Sequence, residues 1–516
     1  MGLRALAIAP PGLPYGALGE RTLKSADPAS LYNACRIAGK LASEGVGAWG
    51  DSNWNTSRMN RRDFMLLMDS MSGDRVVYEE LLQGVKPNLL LMGAMTMCMP
   101  GAIECARIAR ELLGKNVCIV LGGRHPSETI RRVPRTDGCY HHPSSPVKLM
   151  VNGQIDRLFD VVVSGEGEYL IPWLGEKIDE LERNGQALSD IANLLHEAET
   201  SAVEGEWVMS AVVDGNARDW IGGTPIADRS RLPSPVSVFG AGGAFDVFPG
   251  TVTGHLFSDS GNGCVFDCDF CSEGRTITGG LKSPVSSAQR LFQQMSDMVT
   301  VAADDHQISA SGFVEDSTLL GGNKAQLKKL TELLSNADFD FDFGCQFTID
   351  QILKAGDDIR ELAEVGLSYV FIGIETFDPT VIGGMSKDLS RSNLGWIERS
   401  ERAIGILDTA GVRVGAAILF GLGEGPSHRF ALLEQLQVWR AQYGSPQPIS
   451  LNWAAQHPLA NNSCDYLFHE WGVPTEQWCD TFRNFGEATV RYPIYGVEPP
   501  NMDEVDDLNT IIKDFL

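Results

Sequence analysis

The 516-residue chain has no apolar run of the ~18 residues needed to cross a bilayer; the nearest, Leu89 to Ile103, is broken by Gly93, Thr96, Pro100 and Gly101. It also lacks any Lys/Arg cluster: 42 basic side chains face 67 acidic ones, a formal charge of -25. Phosphate recognition needs a concentrated basic surface, so a nucleic-acid or membrane partner is not expected and a small-molecule or peptide substrate fits better. Cysteine is sparse and odd in number, 11 scattered residues that form no disulfide framework, which points to a reducing compartment, the cytoplasm. The start, Met1-Gly2-Leu3-Arg4, offers one positive charge, and the short apolar stretch before Pro10-Pro11 reads as a buried strand rather than a signal peptide. No repeat or low-complexity tract interrupts the chain, and its 43% hydrophobic content suits a soluble protein of several domains.

Against this ordinary background stands the run Gly-Asn-Gly-Cys264-Val-Phe-Asp-Cys268-Asp-Phe270-Cys271. A random chain of this composition would show the cysteine triple about once in two hundred cases. Spacing of three residues, then two, lets one tight loop aim three thiolates at a single point. That suits three irons of a 4Fe-4S cluster and leaves the fourth without a protein ligand. The rival readings are core cysteines or zinc; structural zinc wants four closed ligands, and the nearest candidate, His255, lies nine residues upstream within a predicted strand.

With an aromatic residue, Phe270, directly before the last cysteine, this loop resembles the signature of the radical S-adenosylmethionine (radical SAM) superfamily. The resemblance implies that the open iron chelates the amino and carboxylate groups of S-adenosylmethionine. Electron transfer then yields methionine and a 5′-deoxyadenosyl radical that abstracts hydrogen from unactivated carbon. The cofactor carries the hard chemistry while the protein positions and shields it.

The first ~170 residues alternate apolar runs with helical patterns, the mark of a doubly wound, Rossmann-like or flavodoxin-like α/β sheet. Strands are predicted at Ala5 to Ala9, Asn88 to Met92, Val117 to Leu121 and Asp160 to Val163, with helices at Leu31 to Ser43, Arg75 to Leu82 and Ala102 to Leu113. Ligands of such sheets sit beyond the carboxyl ends of the strands. The loops there are Pro10-Pro11-Gly12, Gly93-Ala94-Met95-Thr96, Gly122-Gly123-Arg124-His125-Pro126 and Ser164-Gly165-Glu166-Gly167-Glu168. Together with the cysteine loop they resemble the cobalamin-binding domain of cobalamin-dependent radical SAM enzymes. The resemblance implies a cobalamin site at Pro10, Pro11, Met95, Thr96, Gly122, Gly123, His125, Ser164, Gly165, Glu166, Gly167 and Glu168. The Asp-x-His-x-x-Gly pattern that supplies a histidine to cobalt is missing; the nearest run, Asp304-Asp305-His306, has Ser309 in place of glycine. His125 is therefore expected to line the pocket, or simply to bond backbone. The adjacent pair His141-His142 beside Cys139 is a poor metal site, because neighbouring residues rarely point at one centre.

A helical stretch over Ile178 to His196, a hairpin around Trp207 to Val213 and a Pro/Gly-rich connection through Pro233, Pro235 and Pro249 follow. Beyond them, strands at Thr251 to Phe257, Gln307 to Val314, Tyr369 to Ile374, Val412 to Phe420 and Ile449 to Trp453 suggest a partial β/α (TIM-like) barrel with its chemistry at the carboxyl ends. Strand-end residues resemble the family's cofactor-contacting segments: Glu315 and Asp316 near the methionine amino group, Glu375 as a cofactor-facing carboxylate, and Gly421 and Gly423 beside adenosine. Carboxylates suit an ammonium group and ribose hydroxyls, although either type also caps helices. Gln456-His457-Pro458 is a candidate substrate wall. In the tail, Trp471, Trp478, Tyr492 and Tyr495 are expected to complete a core, and Cys464 and Cys479 to pack.

The domains expected are 1–200 for cobalamin, 201–248 as linker, 249–460 for the radical SAM barrel and 461–516 as a small C-terminal domain. The leading expectation is a cobalamin-dependent C-methyltransferase fed electrons by a donor such as flavodoxin or ferredoxin. In it, cobalamin relays a methyl group from one S-adenosylmethionine to a carbon radical made with a second. Radical oxidation, cyclisation or ring rearrangement is the alternative within the class; a non-catalytic corrinoid or redox sensor is the alternative outside it. A methylthiotransferase acting on transfer RNA is disfavoured by the acidic balance.

Overall fold

In a computed structural model of the chain, the short apolar runs near the N-terminus become parallel strands because each is buried on both faces. Described are residues 2–11, 28–56, 65–68, 70–133, 136, 138–188, 191–197, 202–222, 226, 231–234, 236, 247–258, 263–264, 266–268, 270–274, 287–306, 308–377, 395–458, 468, 491–498 and 501–513. The first unit, Met1–Pro233 with Pro458–Pro474, holds nine strands among its described residues: β1 (Ala5–Ala9), β2 (Met65–Leu67), β3 (Leu89–Gly93), β4 (Cys118–Gly122), β5 (Ile130–Arg132), β6 (Cys139–His141), β7 (Val161–Gly165), β8 (Trp207–Val213) and β9 (Asn216–Ile221). Seven of them form one sheet in the order β2-β1-β3-β4-β7-β8-β9, while β5 and β6 pair separately. The order reverses between β1 and β3, which makes their carboxyl ends a topological switch point.

The predicted strands and helices of this unit are present with ends shifted by a few residues: the helices run Pro28–Glu44, Met71–Val85 and Met99–Leu113. Two expectations differ. The helical stretch divides into Leu170–Arg183 and Ile191–Glu197, with Gly185 at φ +67° between them. Residues 207–221, expected within a linker, extend the sheet: β7, β8 and β9 are antiparallel neighbours, and Asp214-Gly215, both at positive φ, make the two-residue turn of the hairpin.

The second unit, Ser234–His457 with Thr475–Leu516, is a partial β/α barrel with, among the described residues, six parallel strands in chain order: β10 (Val252–Leu256), β11 (Ala310–Val314), β12 (Asp342–Phe347), β13 (Leu367–Glu375), β14 (Arg413–Phe420) and β15 (Ile449–Trp453). Alternate residues such as Val314, Phe343, Cys345, Val370, Ile372, Val414, Ala416 and Phe420 join the core shared with the helices. On the opposite face Tyr369, Phe313 and Phe371 pack with Val247 and Phe248. This aromatic layer needs a bare backbone beside it: a Cβ at Gly415 would collide with the Tyr369 hydroxyl and touch the Phe371 ring. Replacing Gly415→Ala is expected to lower stability by about 1–3 kcal/mol in urea unfolding. Adding Tyr369→Phe, which removes the nearest atom, should recover part of the loss.

Candidate active site

The cysteine loop follows β10, and the chain entering it is held by one buried carboxylate. Asp316, just past β11 and 3% exposed, accepts hydrogen bonds from the backbone N–H and hydroxyl of Ser258 and from the N–H of Leu320. Burial pushes its carboxyl up to about 6. Its neighbour Glu315 meets His255 Nδ1 at 2.5 Å, so both carboxylates expected at the cofactor bind the protein's own groups in this structure. His255 lies within β10, as its pattern implied. Beyond Ser258 the thiols of Cys264, Cys268 and Cys271 are free of disulfides, Cys268 buried and the other two half-buried. The Cys271 N–H donates to the Cys268 carbonyl at 3.1 Å and the Gly274 N–H to the Cys271 carbonyl at 3.4 Å, so successive turns curl the loop. Phe270 packs against the core. Among the described residues no three His, Cys, Asp or Glu side chains could hold a single metal ion. A cluster presents its irons at separate corners, and three thiols in one curled loop fit that donor set better than a closed zinc site.

Glu375 ends β13 at φ +63°, a left-handed conformation rare outside glycine, and is 8% exposed. After β14, Gly421 (φ +80°) lies where a Cβ would collide with the Trp453 indole, and Gly423 also has positive φ. The carboxylate of Glu424 folds back over this loop, accepting from Gly421 N at 2.7 Å and Leu422 N at 2.9 Å. Arg429 binds Glu424 at 2.9 Å and Glu504 of the helix Met502–Lys513 at 2.6 Å, with its guanidinium 4.6 Å from the centre of the Trp453 ring. Gln456, a candidate substrate wall, is buried and joined to the segment of Tyr492 and Tyr495: its N–H donates to the Tyr492 carbonyl, and its side-chain oxygen accepts from Tyr495 N.

In the first unit Pro10 and Pro11 are buried at the end of β1, on one side of the switch point. Gly93 and Gly122 pair in register at the ends of β3 and β4. A Cβ on Gly93 would meet no described atom within 4 Å, and one on Gly122 only carbonyl oxygens at 3.8 and 4.0 Å. These two positions leave a cradle of bare backbone. Gly123, at φ +95°, is instead filled by Ala94. Met95 is half-buried, Thr96 buried. His125 is fully buried: Nδ1 lies 3.0 Å from Thr96 Oγ1 and Nε2 3.1 Å from the Ser144 carbonyl. Thr96 Oγ1 also donates to Glu128 at 2.8 Å, and the Phe468 ring stands edge-on to the imidazole at 5.2 Å. With both ring nitrogens engaged, His125 presents no open nitrogen to a metal.

Ser164 donates to the Ile130 carbonyl at 2.6 Å, Glu166 accepts from Glu206 N at 2.9 Å, and Glu168 lies 3.8 Å from buried Arg36. These three side chains brace the strand end, where sequence placed them at a ligand. Gly165 is exposed and Gly167 buried. His141 pairs with Asp219 at 3.0 Å while His142 Nδ1 accepts from Ser144 N, so the adjacent histidines have different partners. Gly12, Cys464, Trp471, Trp478 and Cys479 lie outside the described residues. Sequence reasoning missed Glu128 and Trp396; only the i+3 spacing of Glu128 from His125 hinted at the first.

Residues 259–436 match the family model of the radical SAM superfamily. This chain carries a radical SAM domain. Such a domain holds a 4Fe-4S cluster and S-adenosylmethionine. A 132-residue stretch is 26% identical to a hopanoid C-2 methylase of Rhodopseudomonas palustris (strain TIE-1), covering 25% of this chain and 23% of that protein. The fold is similar to the cobalamin-dependent S-adenosylmethionine radical enzyme OxsB with aqua-cobalamin and S-adenosylmethionine bound (TM-score 0.52, 15% identity, 84% of this chain and 52% of that one). It is also similar to the radical S-adenosylmethionine methyltransferase TsrM of Kitasatospora setae with cobalamin and a [4Fe-4S] cluster bound (TM-score 0.50, 14% identity, 89% and 74%). The chain thus spans about a quarter of the curated relative and about half of OxsB. No helix among the described residues is long and apolar enough to cross a membrane.

Two outcomes test this geometry. A carboxyl raised by burial binds its proton more tightly in the folded chain, so the stability it contributes falls as pH rises from about 4 through about 6. Asp316→Asn is expected to be less stable by ~1–3 kcal/mol, to lose iron more readily, and to lack that component of the pH profile, read as urea midpoints from about pH 5 to about pH 7. Arg429→Met leaves two carboxylates, 1% and 10% exposed, without their cation, and should cost about 3–5 kcal/mol in the same assay.

Proposed function

We propose that this chain is a cobalamin-dependent radical SAM C-methyltransferase acting on an unactivated carbon of a small-molecule or peptide substrate. The observation that carries the reading is that one chain joins a three-thiol loop at the end of β10 of a parallel partial barrel to a doubly wound sheet with bare backbone, Gly93 and Gly122, beside its switch point. Relatives named as a methylase and as cobalamin-binding radical enzymes support it.

Cys264, Cys268 and Cys271 would hold the cluster by three thiolates, leaving one iron for S-adenosylmethionine. Glu375 would accept hydrogen bonds from the cofactor's ammonium or ribose hydroxyls, with Glu315 and Asp316 shaping the neighbouring strand end. The loop Gly421–Gly423, its first amides already satisfied by Glu424, would offer a smooth backbone surface to adenosine. Pro10, Pro11, Met95, Thr96, Gly122, Gly123 and His125 would line the cobalamin site, braced from behind by Ser164, Gly165, Glu166, Gly167 and Glu168. When bound, these groups supply one-electron cleavage of S-adenosylmethionine, hydrogen abstraction and methyl carriage. A flavodoxin or ferredoxin in a reducing cytoplasm would deliver the electron.

Anaerobically purified, reconstituted protein is expected to hold about four irons per chain, together with cobalt. With reductant and S-adenosylmethionine it should form 5′-deoxyadenosine and a product heavier by one methylene. Deoxyadenosine without the mass gain would favour oxidation, cyclisation or rearrangement; no deoxyadenosine would favour a sensor; no cobalt after cobalamin is supplied would remove the cobalamin half of the reading.

A further inference from the structure

We propose that Trp396 is a positioning residue that holds Glu375 in its left-handed conformation and thereby sets the affinity for S-adenosylmethionine. The inference rests on the reading that the Glu375 carboxylate meets that cofactor. Against β14 the pairing of β13 slips between Gly373 and Glu375, where two residues of one strand are set against one step of the other, Ala417 to Ile418. The extra residue, Ile374, turns its carbonyl so that the Thr376 N–H donates back to it at 2.9 Å. A bond between residues two apart, closed around a central residue at φ +63°, is the strained form of the three-residue turn. Glycine would adopt it freely, whereas a glutamate there persists only when the surroundings over-determine it.

Trp396 supplies that determination. Its indole Nε1 donates to the same Ile374 carbonyl at 3.0 Å, so the oxygen accepts two bonds. The ring is itself fixed: it is 6% exposed, opens the helix Trp396–Thr409, and lies 5.0 Å from the guanidinium of Arg399, which Asp350 holds at 2.8 Å. Asp350 belongs to the helix Ile349–Lys354, anchored by the Thr348–Gln351 capping box. A run of rigid contacts thus starts below β13 and ends at the carbonyl directly before Glu375. Without the indole donor that carbonyl is free to rotate, φ of Glu375 relaxes toward negative values, and the carboxylate swings away from its present direction.

The test uses cluster-loaded, full-length protein without reductant, so that binding is read apart from turnover. Trp396→Phe is expected to raise the dissociation constant for S-adenosylmethionine roughly five- to tenfold, and in turnover to raise KM with kcat little changed. In a Glu375→Ala background the same replacement should change the constant less than about twofold. An equal loss in both backgrounds, or none in the first, would overturn the role of Trp396. If Glu375→Ala alone leaves binding unchanged, the assignment of Glu375 to the cofactor fails, and the role of Trp396 with it. Stability supplies a readout independent of the ligand: Glu375→Gly should unfold at higher urea than Glu375→Ala, and Trp396→Phe should destabilise the alanine variant less than the glycine one, because only the alanine variant gains relief of strain when the carbonyl is released. Equal midpoints would show that no strain is being held.

Discussion

One buried carboxylate sets the conditions for the rest of the second unit. Three thiolates can grip one cluster only if the chain carrying them leaves its strand along a fixed path, and a group outside the strand must fix Ser258, just past β10. Asp316 does so by accepting from both donors of Ser258 and from the N–H of Leu320, binding the exits of β10 and β11 to one group. The interaction works because it is dry: away from water, a carboxylate with several donors is held far more firmly than an exposed one, and removing any donor leaves a buried acceptor unsatisfied.

The same device recurs at other strand ends. Glu424 closes over the first two amides after β14, and Glu166 accepts from the backbone of Glu206 beside β7. Parallel strands end in irregular turns whose N–H groups have no ladder partner; Glu424 satisfies them within its own segment, whereas Glu166 and Asp316 reach across to N–H groups of a neighbouring one. Part of the acidic excess of this chain is therefore architectural. It also follows that an Asp or Glu at a barrel mouth is no more a cofactor contact than a brace until its acceptors are accounted for.

The alternation of apolar runs and helical spacing made the doubly wound sheet and most of the barrel legible, because strands buried on both faces must be continuously apolar. The strand Asp342–Phe347 escaped that reading: its approach, Asp338-Phe-Asp-Phe-Asp-Phe343, alternates charge with aromatic, a period-2 signal without an apolar run. A hairpin around Trp207 to Val213 was expected, but its membership in the sheet depends on pairing with β7, a long-range choice no local pattern encodes. At the site, the cysteine loop declared itself by spacing alone. The commitments of Glu315, Ser164, Glu166 and Glu168 did not, since which acceptor meets which donor depends on strands brought together from distant parts of the chain.

The ends of β13 and β14 show how differently neighbouring strands meet one demand. Each must turn sharply through positive φ to clear the barrel mouth. At Gly421 the Trp453 indole fills the space a side chain would need, so the residue is dictated by packing. At position 375 no such collision dictates glycine, and the chain carries a glutamate at the same kind of backbone angle, against its conformational preference. On the proposed reading the glutamate stands there for its carboxylate, and the surroundings that hold it, the Ile374 carbonyl and the Trp396 indole, then belong to the function as much as the carboxylate does.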